Sequence, residues 1–230
     1  MNILVCVKQV PDTTEIKIDP VTNTLIRNGV PSIVNPFDGY ALEAAARIKD
    51  KHPDTRIIVL SMGPEQAKNA LKECLGIAAD KAYLISGRAF GGSDTLATSY
   101  ILSCAIKKVA ELEGGFDAIF CGKQAIDGDT AQVGPCLATL MGIGLITNVM
   151  SIDKVSDEIR CTTRMGEESA KLPALVTVER INTLRFPSIR SKLGGIEVLD
   201  NSAVGADVKR CGLSGSPTKV IKTFENNSGT

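Results

Sequence analysis

Ala118-Ile119-Phe120-Cys121-Gly122-Lys123-Gln124-Ala125-Ile126-Asp127-Gly128-Asp129-Thr130-Ala131-Gln132-Val133-Gly134 decides how this chain is read. Its first three residues form an apolar run suited to a buried strand, and the run breaks into glycine and polar residues before a helix. A strand that ends this way leaves backbone N–H groups free at the head of the helix, at the positive end of its dipole. That combination is a ready site for phosphate. The pattern is neither the Walker loop nor the spaced-glycine dinucleotide fingerprint. The same residues also suit an ordinary strand-to-helix turn, with Asp129 or Thr130 as N-cap and Gly128 at positive φ.

Outward from this stretch, strands and helices alternate. Ile3 to Val7 and Ile57 to Leu60 are short, β-branched runs of the same kind, suited to a parallel sheet covered on both faces. Helices are expected over Tyr40 to Lys49, over Glu65 to Ala79 just after Pro64, and over Thr95 to Leu112 behind a cap at Ser93 or Asp94. This order predicts an α/β fold with a doubly wound, mainly parallel sheet. Residues 15–27 alternate polar and apolar around Pro20-Val21-Thr22-Asn23, the signature of a hairpin leaving the first strand. Glu158 to Thr163, turning through Met165-Gly166-Glu167-Glu168, and Ala174 to Val178 read as strands of an antiparallel flank. Residues 1–200 thus form one nucleotide-binding α/β domain. Residues 201–230, poor in large apolar side chains, read as a C-terminal arm laid on a partner or partly disordered.

Composition narrows the chemistry. The 26 basic and 26 acidic residues cancel, so no overall field draws the protein to nucleic acid or an anionic membrane. Seven cysteines without a CxxC pair, and no signal-like or membrane-length segment, lead to the expectation of a soluble protein in a reducing cytoplasm. The single histidine, His52, lies in the polar stretch Asp50-Lys51-His52-Pro53. A histidine triad or multi-histidine metal site is excluded, so reactive groups would have to come from a cofactor.

In doubly wound sheets the ligand lies beyond the carboxyl ends of the strands, where the winding reverses. Three loops leave such ends: Lys8-Gln9-Val10-Pro11, Ser61-Met62-Gly63-Pro64 and Gly122-Lys123-Gln124-Ala125. They are expected to converge on one crevice. Asn35-Pro36-Phe37-Asp38 suits a helix entrance capped by Asp38, and equally an Asn35 amide that reads an adenine edge with its donor and acceptor.

Leu4-Val5-Cys6-Val7-Lys8-Gln9-Val10-Pro11, Asn35-Pro36-Phe37-Asp38, Ser61-Met62-Gly63-Pro64 and Gly122 to Asp129 together resemble, in order and spacing, the β subunits of electron-transfer flavoproteins. The resemblance continues through Arg164-Met165-Gly166-Glu167-Glu168 and Leu172-Pro173-Ala174-Leu175-Val176-Thr177-Val178, and covers roughly residues 1 to 215. It implies a domain of the adenine-nucleotide-binding type in a heterodimer with a flavoprotein α subunit. The respiratory branch of that family holds AMP as a structural ligand, and the bifurcating branch of anaerobes a second FAD. Gly128 and Val133 stand where the AMP branch has an acid and a hydroxyl residue, and Gln9-Val10-Pro11-Asp12 and Gly92 to Thr98 also resemble the bifurcating group. The implied cofactor is therefore FAD, with AMP the alternative. NADH is the implied transient donor, and electrons would pass singly to the α-subunit flavin and to ferredoxin or flavodoxin.

The resemblance implies a binding set of Cys6, Lys8, Asn35, Phe37, Asp38, Met62, Ser93, Thr95, Gly122, Lys123, Gln124, Asp127, Gly128, Asp129, Thr130, Ala131, Gln132 and Val133. Asp127 and Thr130 would lie nearest the diphosphate, beside the amides of Gly128 to Val133, and no residue is assigned as general acid or base. Residues 182–192 carry Phe186 next to Pro187, among Arg185, Arg190 and Lys192. An apolar anchor flanked by cations suits docking on a partner, though the same loop would also fit with Phe186 packed into its own core. In the family this segment docks on an acyl-CoA dehydrogenase-type protein, such as an enoyl-CoA or caffeyl-CoA reductase, with Phe186 in place of a leucine.

Overall fold

The computed structural model describes residues 1–12, 31–181, 183–188, 195–218 and 221. The expected hairpin at 15–27 lies outside them. The chain begins with β1 (Asn2–Cys6), followed by the short antiparallel pair β2 (Gln9–Pro11) and β3 (Ser32–Val34). Helix α1 (Pro36–Lys51) leads to β4 (Arg56–Met62), α2 (Lys68–Ile77) to β5 (Lys81–Ile85), and α3 (Thr95–Glu113) to β6 (Ala118–Gly122). Then come α4 (Val133–Met141), β7 (Gly144–Val155), β8 (Glu158–Thr163), β9 (Gly166–Lys171), β10 (Ala174–Val178) and β11 (Ile196–Leu199). The short helices α5 (Asn201–Val204) and α6 (Gly212–Gly215) follow.

Nine strands make one sheet in the order β11-β5-β4-β1-β6-β10-β7-β8-β9, parallel from β11 to β7 and antiparallel across β7, β8 and β9. The doubly wound expectation holds, with one correction. Ala174–Val178 does not belong to the antiparallel flank but runs parallel between β6 and β7. All five of its residues are buried, as a strand covered on both faces requires. Strands β5, β7 and β11 were not anticipated from the sequence.

Side chains alternate between two cores. Ile3, Val5, Ile57, Val59, Phe120 and Val176 face α1 and α2, against Leu42, Ala45, Leu71 and Leu75. Leu4, Ile58, Leu60, Ile119 and Leu175 face α3 and α4, against Ile101, Ile106 and Leu137. Each fully buried aliphatic side chain contributes about 1.5–3 kcal/mol. Helix α1 starts at Pro36, whose fixed φ suits a first helical position. Residues 65–67 form a separate 3-10 turn ahead of α2.

Residues 201–218 are not a free arm. Arg210 stacks its guanidinium 3.7 Å from the Tyr100 ring centre on α3, and the Tyr100 hydroxyl accepts the Asp207 amide at 3.0 Å. Cys211 is buried in the α3-side core, so this segment completes the helical layer. No described helix is long and apolar enough to cross a membrane.

Glu113 closes α3 and accepts from Arg56 at 2.7 Å, Lys81 at 2.7 Å and the Tyr83 hydroxyl at 2.5 Å. These contacts pin the end of α3 to β4 and β5. Burial opposes the Glu113 carboxylate, but Lys81, Tyr83 and Arg56 outweigh it and bring its pKa down to about 2. A carboxylate whose folded-state pKa is depressed adds stability above its ordinary value of 4.5 and loses it as pH falls toward about 2. Urea midpoints measured across that acid range should therefore fall more steeply for the wild type than for Glu113→Gln.

Candidate functional site

From β1 the chain winds outward through β4 to β5, and α3 then returns it to β6 on the other side of β1. The reversal falls between β1 and β6, so the crevice over their carboxyl ends is where a ligand belongs. One carboxylate builds its floor. Asp38, in the first turn of α1, accepts the Lys8 amide at 2.7 Å and the Gly122 amide at 3.1 Å, tying the ends of β1 and β6 to the helix. Burial pushes the Asp38 carboxyl up to about 7, with its hydrogen bonds acting against the rise. Glycine is needed opposite it: a Cβ at Gly122 would lie 2.4 Å from Asp38 Oδ1 and 2.5 Å from the Phe37 carbonyl carbon.

Asp38 is thus not the cap of α1. Asn35 holds that position without a side-chain cap bond, and its amide is used elsewhere. Fully buried, Asn35 donates to the Gln124 carbonyl at 2.8 Å and accepts the Ile126 amide at 3.1 Å. One donor and one acceptor position of its amide thus hold the loop. The loop then turns on Ala125, whose carbonyl accepts the amides of Gly128 at 3.2 Å and Asp129 at 2.8 Å. Gln124 Nε2 donates to Asp129 Oδ1 at 2.7 Å.

The left-handed positions are Asp129 and Ala131, each at φ 53°, and not Gly128. For alanine that conformation costs roughly 1–2 kcal/mol, strain of a kind that concentrates at functional loops. Left-handed Ala131 is followed by right-handed Gln132, the alternation that turns successive N–H groups toward one concavity. Helix α4 starts only at Val133, behind Gln132 and with no capping side chain, so neither Asp129 nor Thr130 is its N-cap. Pro135 has no N–H, which leaves the amides of Val133 and Gly134 as the uncapped donors of this helix head. The head of α3 differs, because Asp94 caps it by accepting the Ala97 amide at 3.0 Å and puts negative charge there. Of the heads of α3 and α4, that of α4 is the one suited to an anion.

Lys8 Nζ lies 2.6 and 2.8 Å from the two carboxylate oxygens of Asp127. This offsets Asp127, one of the two acids on the loop; the other, Asp129, is held by the neutral Gln124 amide. Thr95 reaches the loop by donating to Gln132 Oε1 at 3.1 Å, and Thr130 is exposed on it. Gln9 Oε1 and Ser61 Oγ, past the end of β1 and near the end of β4, are buried without a hydrogen-bond partner among the described residues. Sequence reasoning did not single these two out, since nothing in their local pattern marks a missing partner.

Other expected site residues have different surroundings. Cys6 is buried in the floor beside Cys121, whose thiol is held well above its ordinary value by their mutual hydrogen bond and by burial. Phe37 sets its ring edge-on to Tyr40 at 6.0 Å, and Met62 packs on the α3-side core. Ser93 is used at the C-terminal segment, donating to the Phe90 carbonyl and accepting the Gly212 amide at 3.0 Å. Lys123 turns its ammonium toward Glu179 at 3.6 Å, where Arg164 also pairs.

The described part of the expected docking loop, residues 183–188, lies along α1 and α2. Phe186 is 90% exposed and not part of the core. Arg185 is not a free cation, because it pairs with Glu43 at 2.9 Å and Asp50 at 2.7 Å.

The fold is that of an α/β protein with a doubly wound, mainly parallel sheet. The electron transfer flavoprotein domain matches residues 22–203. The chain is 54% identical to the electron transfer flavoprotein subunit beta of Megasphaera elsdenii, over 97% of this chain and 87% of that one. It is 47% identical to the caffeyl-CoA reductase-Etf complex subunit CarD of Acetobacterium woodii, again over 97% of this chain and 87% of the relative. Protein FixA of Azotobacter vinelandii is 46% identical over 97% of this chain and 84% of its own. The chain belongs to the electron transfer flavoprotein β-subunit family.

Replacing Asp38 tests the floor of the site. In Asp38→Ala the buried amide of Gly122 and the partly buried amide of Lys8 lose their acceptor, at about 1–3 kcal/mol each, the Lys8 amide at the lower end. Urea unfolding should report a loss of about 2–5 kcal/mol, and hydrogen exchange at those two amides should accelerate; a change within the ±0.5 kcal/mol or so typical of surface sites would contradict the assignment.

Proposed function

We propose that this chain is the β subunit of a heterodimeric electron-transfer flavoprotein, paired with a flavoprotein α subunit, and that it holds FAD in the β1/β6 crevice. The uncapped head of α4, preceded by the left-handed turn at Asp129 and Ala131, is the observation that carries the reading. The residues present fit the group. The Val133 and Gly134 amides would hold the diphosphate, with Thr130 beside them as hydroxyl donor and Lys8 offsetting Asp127. Gln9 and Ser61 offer buried, unpartnered polar atoms to a ligand that carries hydroxyls or ring nitrogens.

The choice of FAD over AMP is supported by the loop itself. A Cβ at Gly128 would meet nothing within 4 Å, so the loop leaves open space there, and Val133 brings no hydroxyl to compete for the phosphate. When bound, FAD supplies the exchange between hydride transfer from NADH and single-electron transfer to the α-subunit flavin and to ferredoxin or flavodoxin. The protein's part is to bind, orient and set the electrostatics around it. Asn35 and Asp38 act here as positioning residues, because they hold the loop and the strand ends in place.

Phe186 is proposed as the apolar anchor for an acyl-CoA dehydrogenase-type partner, supported by its 90% exposure and by the enrichment of aromatic side chains at the energetic centres of interfaces. We place the complex in the cytoplasm, in keeping with free cysteines throughout the described residues.

Flavin released from the purified heterodimer and counted against protein tests the cofactor assignment. Two FAD per heterodimer, with visible bleaching on addition of NADH, is the expected result. One FAD together with one AMP would overturn it.

A further inference from the structure

We propose that Arg185 is a positioning residue that clamps residues 183–188 to α1 and so presents Phe186 to its partner in a fixed place. The inference rests on the reading of Phe186 as a docking anchor and goes beyond it. The Arg185 side chain grips two carboxylates seven residues apart on one helix. Nε donates to Glu43 Oε2 at 2.9 Å, and Nη1 and Nη2 donate to the two oxygens of Asp50 at 3.2 and 2.7 Å. The Arg185 amide adds a bond to Glu43 Oε2 at 3.2 Å, so backbone and side chain are fixed by the same acid. The Glu43 side chain is only 6% exposed, and it is also held by Arg47.

Both sides of Phe186 are pinned in the same manner. Arg47 Nη2 donates to the Thr183 carbonyl at 2.8 Å, and the Ser188 amide donates to the Gly76 carbonyl at the end of α2, also at 2.8 Å. Between these anchors Phe186 is 90% exposed. A side chain left in water on a backbone held at several points is arranged for a contact outside the chain. Ordering a loop when the partner arrives weakens binding, and a loop already ordered avoids that loss. The planar fork of arginine sets its donors in fixed directions toward Glu43 and toward both oxygens of Asp50, a geometry that the single ammonium of lysine does not reproduce.

Three variants of the complete heterodimer, Arg185→Ala, Arg185→Lys and Phe186→Ala, separate the possibilities. Each is assayed for bound flavin, for hydrogen exchange at the Ser188 amide, and for kcat and KM with the dehydrogenase as varied substrate. Arg185→Ala should raise KM for the dehydrogenase by about tenfold with little change in kcat, speed exchange at Ser188 and keep its flavin, with Arg185→Lys restoring little. If Phe186→Ala raises KM while Arg185→Ala does not, the clamp is wrong and the docking anchor stands. If Phe186→Ala leaves KM unchanged, the docking reading itself fails and takes the clamp with it. Loss of flavin or of the heterodimer in Arg185→Ala would show a general structural role and overturn the positioning assignment.

Discussion

The site depends on one buried carboxylate. Asp38 accepts amides from the end of β1 and the end of β6, the two strands between which the winding reverses. Its burial is costly, and Gly122 must lack a side chain for the approach to be possible. Once α1 is fixed to both strand ends, its N-terminal Asn35 lies within reach of the loop after β6 and takes up Gln124 and Ile126. A structural acid thus sets the geometry of a loop that it never touches beyond Gly122.

Charge on the two neighbouring helix heads is divided. Asp94 caps α3 and makes its head unsuitable for an anion, whereas α4 begins without a cap and with strained backbone before it. Thr95 joins the two through Gln132, so the capped helix braces the open one. On the far face, Arg185 and Glu43 fix a different segment to the middle of α1. One helix therefore organises both the crevice and the exposed Phe186, with its first turn serving one and its later turns the other.

The sheet was largely legible because residues 3–7, 57–60 and 118–120 are apolar without interruption, as strands covered on both faces must be. Ala174–Val178 carried the same signal, yet its place between β6 and β7 depends on pairing across distant segments, which local pattern does not reveal. Strand β7, with mixed exposure and a left-handed Asn148, has no clean period of two. In the site, residue types pointed to the correct loop but not to their partners. Asp38 looked like a helix cap, and the hold of Asn35 on the loop went unseen, since sequence alone does not show that two strand ends and a loop come within hydrogen-bond distance of them. How residues 201–218 attach was not legible, because the attachment relies on Arg210 stacking on Tyr100 and on hydrogen bonds to α3, and not on an apolar run of its own.

The central claim is that the head of α4, and not that of α3, receives the phosphates. A crystal structure of the purified heterodimer with its native nucleotides tests it most directly. Diphosphate oxygens at about 2.7–3.2 Å from the Val133 and Gly134 amides, with Asn35 still bonded to the loop, are the predicted result. Phosphate found at the Asp94-capped head of α3, or an Asn35 amide turned away from Gln124 and Ile126 onto the base, would contradict it.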